Sequence, residues 1–278
     1  MKLAAPGMSA FVAMLAVIGG AGRLQAQASL PQDASWTLEG SQGGYCISYL
    51  ADPAIARKMV PGSTMLTPAG NGAGLPPLLA STIREEPRFA QWIPGMLCFG
   101  FYQRVSEGSR TIAQGRPGKP VIVVTTSLAA QNAHGAEGAT EYLVDFLTDN
   151  RNLTSAADRI GVDMANVEYA SRLRVEGGDP SVTINIDGTV ISWSGHTLAD
   201  SSVGKTRSVS FGYGGPKSAA WLMKVDLAPA SSKLIVGNIS VSGSNNLAKA
   251  LRASPGRSIG PLESGGSVSI MFHAVTRK

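Results

Sequence analysis

The second half of this chain is a succession of short β-branched runs separated by Gly and Pro, and this pattern constrains the fold more than any other feature. Residues 181–186 and 189–194 flank the dipeptide Asp187-Gly188. Gly readily takes the positive φ that a tight two-residue turn requires, so the three segments predict a β-hairpin. Further strand-like runs lie at residues 121–126, 207–213, 220–226, 233–242 and 267–276. Strands at this spacing predict an antiparallel sandwich or a barrel-like sheet.

A short helical insertion is predicted in the middle of the chain. Residues 139–148 place apolar side chains at the spacing of one helix face, which predicts an amphipathic helix. Ser155 and Asp158 stand three residues apart, as in a capping box, and predict a second helix from about Ala156 toward Met164. The predicted fold class is therefore α+β, mainly β.

The first 28 residues have the pattern of an export signal. Lys2 precedes an apolar run at residues 11–18, and Ala26-Gln27-Ala28 supplies the small residues of a cleavage site. A spanning helix needs about 20 apolar residues, whereas this run is broken at Gly19-Gly20. We expect a cleaved signal peptide and a periplasmic or extracellular protein with no membrane span in its mature chain. A retained N-terminal anchor is the alternative.

Residues 29–278 are predicted to form a single β-rich domain, with a possible sub-boundary near residues 176–180. Without the signal this part has 22 basic and 19 acidic residues, a formal charge of +3. From Leu227 onward the single acidic residue is Glu263. The basic residues there are Lys233, Lys249, Arg252, Arg257, Arg277 and Lys278. They could form a surface for an anionic or cell-envelope partner, or be neutralised by the acidic segment at residues 137–187.

Cys46 and Cys98 both lie in strand-like runs. An exported chain meets an oxidising compartment, so we expect a disulfide between them, with free buried thiols as the alternative. The chain has no C-x-x-C motif that would indicate a redox or metal pair.

Candidate catalytic residues are few. The chain lacks a G-x-S-x-G motif, and its three histidines are far apart in sequence. His196 has Ser194 and Asp200 close by and is the best candidate for a catalytic residue. Asp145 and Asp149 would share one face of the predicted helix, where solvent exposure is the simpler interpretation. No cofactor or metal site is predicted.

These observations favour an exported, non-catalytic binding or structural protein. The alternative is a secreted hydrolase whose site is assembled around His196 from residues distant in sequence. A DNA partner is not expected, although the segment after Ala156 resembles a helix-turn-helix. Asp163 and Glu168 would begin its recognition helix and would oppose the phosphates.

Overall fold

A computed structural model describes residues 33–40, 43–71, 75–116, 119–131, 138–166, 181–186, 188–203, 207–214, 220–228, 231–260, 262–264 and 266–275. The predicted signal peptide, the sub-boundary near residues 176–180 and the second part of the helix-turn-helix-like segment lie outside these ranges. Export therefore stays a prediction. Within these ranges no helix is long and apolar enough to cross a membrane.

The described strands are β1 (Ala34–Glu39), β2 (Gly43–Ala51), β3 (Met65–Leu66), β4 (Ile93–Tyr102), β5 (Arg104–Glu107), β6 (Arg110–Gln114), β7 (Val121–Gln131), β8 (Glu141–Thr148), β9 (Ala165–Asn166), β10 (Ser181–Ile186), β11 (Thr189–Val203), β12 (Arg207–Tyr213), β13 (Trp221–Leu227), β14 (Ser231–Ser242), β15 (Arg257–Ile259), β16 (Leu262–Ser264) and β17 (Val268–Ala274). The described helices are α1 (Pro53–Arg57), α2 (Pro77–Glu85), α3 (Arg151–Ile160) and α4 (Asn246–Ala253), with 3-10 turns at Ala69–Asn71 and Pro87–Gln91.

The strands pair into one long, mainly antiparallel sheet. From one end the neighbours are β6, β5, β1, β17, β13, β12 and β8. The sheet continues through β7, β4 and β2 to the short strands β15 and β16, and then to β14, β11 and β10. Among the described pairs, β12–β8 and β8–β9 are parallel. The predicted mainly β fold class with few helices is confirmed.

The central strands are buried on both faces and serve two apolar cores. Along β7, Ile122 and Val124 belong to the first core, and Val121 and Val123 belong to the second. This division follows from the two-residue period of a strand. Helices α1 and α4 contribute to the first core, and α3 packs on the second.

The helix predicted at residues 139–148 is wrong, because most of this segment is strand β8. In the register with β7, Thr126 pairs with Asp145 and Ser127 pairs with Leu143, so Val144 is an extra residue in β8. Such a bulge interrupts the simple alternation of side chains. Tyr142 and Leu147 therefore enter the first core while Leu143 and Phe146 enter the second. Tyr142 and Leu143 form one pair of neighbouring apolar residues, and Phe146 and Leu147 form a second pair four residues later. Apolar residues on one face of a helix have the same spacing, which is why the pattern indicated a helix.

The second helix exists, but it begins earlier than predicted. Its N-cap is Asn150, whose side chain accepts hydrogen bonds from the backbone N–H groups of Asn152 and Leu153, at 3.0 and 3.3 Å. Ser155 lies inside the helix, where its hydroxyl donates to the carbonyl of Arg151 at 2.9 Å. The predicted capping box is therefore wrong.

Two local predictions are confirmed. Strands β10 and β11 form the expected hairpin, and Gly188 has a φ of +78°. Cys46 and Cys98 face each other directly in the β2–β4 ladder and are joined by a disulfide, with their Cα atoms 4.0 Å apart.

Candidate functional site

The hydroxyl of Tyr49 is a buried polar group of the first core without a described hydrogen-bond partner. Tyr49 lies on β2 and is 0% exposed. Its hydroxyl has no hydrogen-bond partner among the described residues. Buried tyrosine hydroxyls are normally paired, because removing such a group from water without a partner costs free energy. An unpaired hydroxyl in this position marks a place where a ligand could accept a hydrogen bond.

The ring of Tyr49 lies across the neighbouring strand. Tyr49 is directly opposite Gly95 of β4 in the ladder. A Cβ atom built on Gly95 would lie 2.5 Å from Cζ of the ring and 2.8 Å from the hydroxyl oxygen. The side chain therefore runs from β2 over β4, in the direction of β7 and β8.

Two carboxyl groups of β8 lie within electrostatic range of this hydroxyl. Burial, and then the charges of Asp145 and Glu141, raise the pKa of Tyr49. Burial is also the main reason that the pKa of the neighbouring Tyr142 is raised to about 12. Tyr142 donates its hydroxyl to the carbonyl of Gly214 at 2.9 Å, whereas the Tyr49 hydroxyl has no acceptor in the part of the chain that the structure describes. Tyr49 is thus a neutral hydrogen-bond donor.

The carboxyl group of Glu141 also has a shifted pKa. Burial raises the pKa of its carboxyl group, and the hydrogen bond from Ser127 opposes this shift. The Ser127 hydroxyl donates to Oε2 of Glu141, which leaves Oε1 as the oxygen that can carry a proton. A protonated carboxyl group can donate a hydrogen bond, which a carboxylate cannot do, and burial widens the pH range over which Glu141 is protonated.

Thr126 adds another unpaired hydroxyl. It is fully buried on β7 between Val124 and Leu128, both of which belong to the first core. Its Oγ1 has no partner among the described residues, and Thr126 pairs with Asp145 in the β7–β8 ladder. We call Tyr49, Thr126, Glu141 and Asp145 the interior cluster.

The residues proposed from the sequence lie elsewhere, on β11. Ser194 and His196 are both exposed and, being two residues apart on one strand, lie on the same face. For Asp200 the structure describes the backbone alone, at the point where the β11–β14 register shifts. Ser194 lines an open groove with Thr183 and Asn238. Nothing in the described structure tests a catalytic role for these residues.

The basic residues near the C-terminus are also not tested as a partner surface. Lys249 and Arg252 are exposed on α4, and a guanidinium nitrogen of Arg252 donates to the carbonyl of Gly243 at 2.5 Å.

A buried lysine is another group that can activate a carbonyl compound, because desolvation lowers its pKa and makes the amine nucleophilic. The lysine side chains that the structure describes are all exposed: Lys58, Lys119, Lys224 and Lys249. The described part of the interior cluster therefore offers hydrogen-bond donors and carboxyl groups rather than an amine.

The sequence prediction missed all four residues of the interior cluster. Glu141 and Asp145 were assigned to a helix, and one face of that helix was expected to be solvated. A signal was nevertheless present for Thr126, because it follows a run of β-branched residues on a strand that is buried on both faces. Tyr49 could not be singled out, since its position depends on a contact with Gly95 of another strand.

Comparison with known proteins gave matches among solved structures, while no family model and no curated protein sequence matches this chain. Acetoacetate decarboxylase from Legionella pneumophila is 11% identical, with 87% of each chain covered and a TM-score of 0.48. The enduracididine biosynthesis enzyme MppR complexed with pyruvate is 10% identical, with 90% of this chain and 91% of that chain covered and a TM-score of 0.47. An acetoacetate decarboxylase-like enzyme from Sphingomonas wittichii RW1 is 9% identical, with 91% and 95% covered and a TM-score of 0.47.

These matches correct the function predicted from the sequence. The matched structures are named as enzymes of the acetoacetate decarboxylase type. The predicted function, a non-catalytic binding or structural protein with a secreted hydrolase as the alternative, is therefore wrong, whereas the candidate site residues His196, Ser194 and Asp200 stay untested.

Proposed function

We propose that this protein is an enzyme that stabilises an enolate, or a related oxyanion, at the interior cluster. The observation that carries the proposal is the fully buried hydroxyl of Tyr49, which has no described partner and lies within electrostatic range of Glu141. The Tyr49 hydroxyl donates a hydrogen bond while neutral, and the Glu141 carboxyl group can do so when it is protonated, so each can stabilise a negative charge that develops nearby.

The physical reason is the environment of the donors. Hydrogen bonds aimed at a developing charge are worth more in a water-excluded site, where they need no reorganisation during the reaction. A tyrosine together with a carboxylic acid kept neutral by an apolar site is a known way to stabilise an enolate. The interior cluster has the same two kinds of group: Tyr49, which belongs to the first core together with Leu128 and Tyr142, and Glu141, whose pKa is raised by burial.

The proposed reaction breaks a bond at the carbon next to the carbonyl group of the substrate. The carbonyl oxygen of the substrate accepts hydrogen bonds from Tyr49 and Glu141. When a bond at the neighbouring carbon breaks, its electron pair moves into the enolate, and the negative charge develops on that oxygen. In an isomerisation the leaving group is a proton, which the Asp145 carboxylate accepts and returns to carbon. In a decarboxylation the leaving group is carbon dioxide, and the enolate carbon then takes up a proton from water.

The substrate class is accordingly a small oxo compound. Acetoacetate is a β-oxo acid, and pyruvate is an α-oxo acid with exchangeable hydrogens. Both compounds appear in the names of the matched structures, and we use them as the first probes. Loss of carbon dioxide reports decarboxylation, and exchange of hydrogen for deuterium at the carbon next to the carbonyl reports enolate formation.

The test is the substitution Tyr49→Phe, which removes the hydroxyl and keeps the ring. We expect kcat for acetoacetate decarboxylation, or the rate of deuterium exchange into pyruvate, to fall roughly 10²- to 10³-fold, as on loss of one oxyanion donor. The matched control is Tyr45→Phe on the same strand. The Tyr45 ring packs against Phe99 and Trp193 at centroid distances of 5.1 and 4.9 Å, and Tyr45 is not part of the interior cluster.

Tyr45→Phe should keep the activity of the unsubstituted protein. The proposal would be refuted if the unsubstituted protein transformed neither probe, or if Tyr49→Phe retained full activity.

A further inference from the structure

We propose that Gly95 is a positioning residue for the interior cluster, because the absence of a side chain at this position lets the ring of Tyr49 lie across β4 and place its hydroxyl within electrostatic range of the carboxyl groups of β8. This inference rests on the proposed function and adds to it a residue that touches neither substrate nor the reacting atoms.

The first step is steric. In addition to the contacts with Cζ and the hydroxyl oxygen, a Cβ atom on Gly95 would lie 2.8 Å from Cε2 of Tyr49. Real Cβ atoms essentially never come within 3.0 Å of a heavy atom outside their own residue and its chain neighbours, so a side chain at position 95 must displace the ring. The ring is rigid and has two rotatable side-chain torsions, so moving its outer edge also moves the hydroxyl.

The second step concerns the backbone. The glycines with positive φ are Gly40, Gly108, Gly138, Gly161, Gly188 and Gly243 among the described residues, and Gly95 is not one of them. Gly95 lies within the regular β2–β4 ladder, whose conformation any residue can adopt. Conformational freedom is therefore not the reason for glycine here. The space that Tyr49 occupies is the reason.

The same strand contains a matched control. A Cβ atom on Gly100 would lie 2.5 Å from Cε2 and 2.7 Å from Cζ of Tyr102, and would also contact its hydroxyl oxygen. Tyr102 belongs to the second core and not to the interior cluster. Aromatic rings can also cover glycines in a sheet for structural reasons alone. Gly100 is covered by the ring of Tyr102 in this way and lies outside the interior cluster, so a substitution there measures the structural effect alone.

The experiment compares Gly95→Ala with Gly100→Ala in the full chain. Both variants introduce one methyl group on β4 against a tyrosine ring, that of Tyr49 on β2 or that of Tyr102 on β4, so we expect both to lose stability. Only Gly95→Ala should lower kcat, by about 10²-fold, as expected for a displacement near 1 Å, with a much smaller change in KM. The double variant Gly95→Ala/Tyr49→Phe should have the kcat of Tyr49→Phe alone, because both changes remove the same interaction.

The results separate this inference from the proposed function. If Tyr49→Phe is inactive while folded Gly95→Ala keeps its kcat, or if the two losses multiply in the double variant, the role of Gly95 is overturned and the proposed function stands. If Tyr49→Phe is fully active, the proposed function itself fails.

A further variant covers the case in which Gly95→Ala does not fold. Tyr49→Leu/Gly95→Ala removes the ring that would clash, so it should fold with about the stability of Tyr49→Leu. Failure of this double variant to fold, when Tyr49→Leu folds, would show that Tyr49 is not the reason for glycine at position 95.

Discussion

At the scale of single residues, burial changes the chemistry of acids on β8 and at its end. Burial raises the pKa of Glu141, and it also raises the pKa of Asp149, whose side chain accepts a hydrogen bond from the backbone N–H of Ile122 at 3.0 Å. A buried acid with a raised pKa holds its proton in the folded protein at a pH where the unfolded chain has released it. Such groups are common at functional sites, although structural networks also produce them.

This shift predicts how Glu141→Gln alters stability with pH. The ordinary pKa of Glu141 is 4.5 and its folded pKa is higher, so the folded state binds more protons than the unfolded state between the two values. The free energy of unfolding of the unsubstituted protein therefore falls as the pH rises through this window. Gln cannot titrate, so the stability of Glu141→Gln relative to the unsubstituted protein should increase with pH.

Urea denaturation at about pH 4 and about pH 8 measures this difference. Asp149 titrates in both proteins, so its contribution cancels when the two are compared. A stability difference that stays constant, or that decreases with rising pH, would contradict a raised pKa for Glu141.

At the scale of elements, the sequence predicted the parts whose structure is decided locally. The β10–β11 hairpin depends on Gly188 in its turn, and β12 has the predicted limits Arg207–Tyr213. Strand β8 could not be predicted in this way, because its apolar pattern results from one bulge and from burial on both faces. Tyr49 and Gly95 meet through the pairing of β2 with β4, which no local pattern specifies.

The N-terminus of α3 allows the corrected element boundary to be tested. Asn150→Ala removes the side-chain acceptor for the N–H groups of Asn152 and Leu153, so we expect a loss of about 1 kcal/mol in the free energy of unfolding. Ser155→Ala is the control at the residue that the sequence had suggested as the cap. Its hydroxyl bonds to a carbonyl within the helix, so its removal should change stability by less than about 0.5 kcal/mol.

Urea denaturation of both variants gives the comparison. A larger loss for Ser155→Ala than for Asn150→Ala would place the start of the helix near Ser155 after all.

At the scale of the whole molecule, the sheet joins segments from distant parts of the chain. Strand β1 lies between β5 and β17, so residues near both ends of the described chain pair directly. At this junction the Asp33 carboxylate accepts a hydrogen bond from the backbone N–H of Ala274 at 3.1 Å, and its other oxygen lies 3.1 Å from Nδ1 of His273. Much of the sheet therefore has to form together, and loop closure in the unfolded chain opposes its formation.

The Cys46–Cys98 disulfide lowers the conformational entropy of the unfolded chain, and so reduces the entropy loss that opposes formation of the sheet. It links β2 to β4 across 52 residues, so opening it should lower the free energy of unfolding by about 4 kcal/mol in the chain-entropy model. Reduction of the unsubstituted protein and the double substitution Cys46→Ser/Cys98→Ser should give similar losses in urea denaturation. Reduction keeps both sulfur atoms in place, so agreement between the two would assign the effect to the covalent link rather than to side-chain packing. A reduced protein as stable as the oxidised one would show that the bond adds nothing to the stability of this sheet.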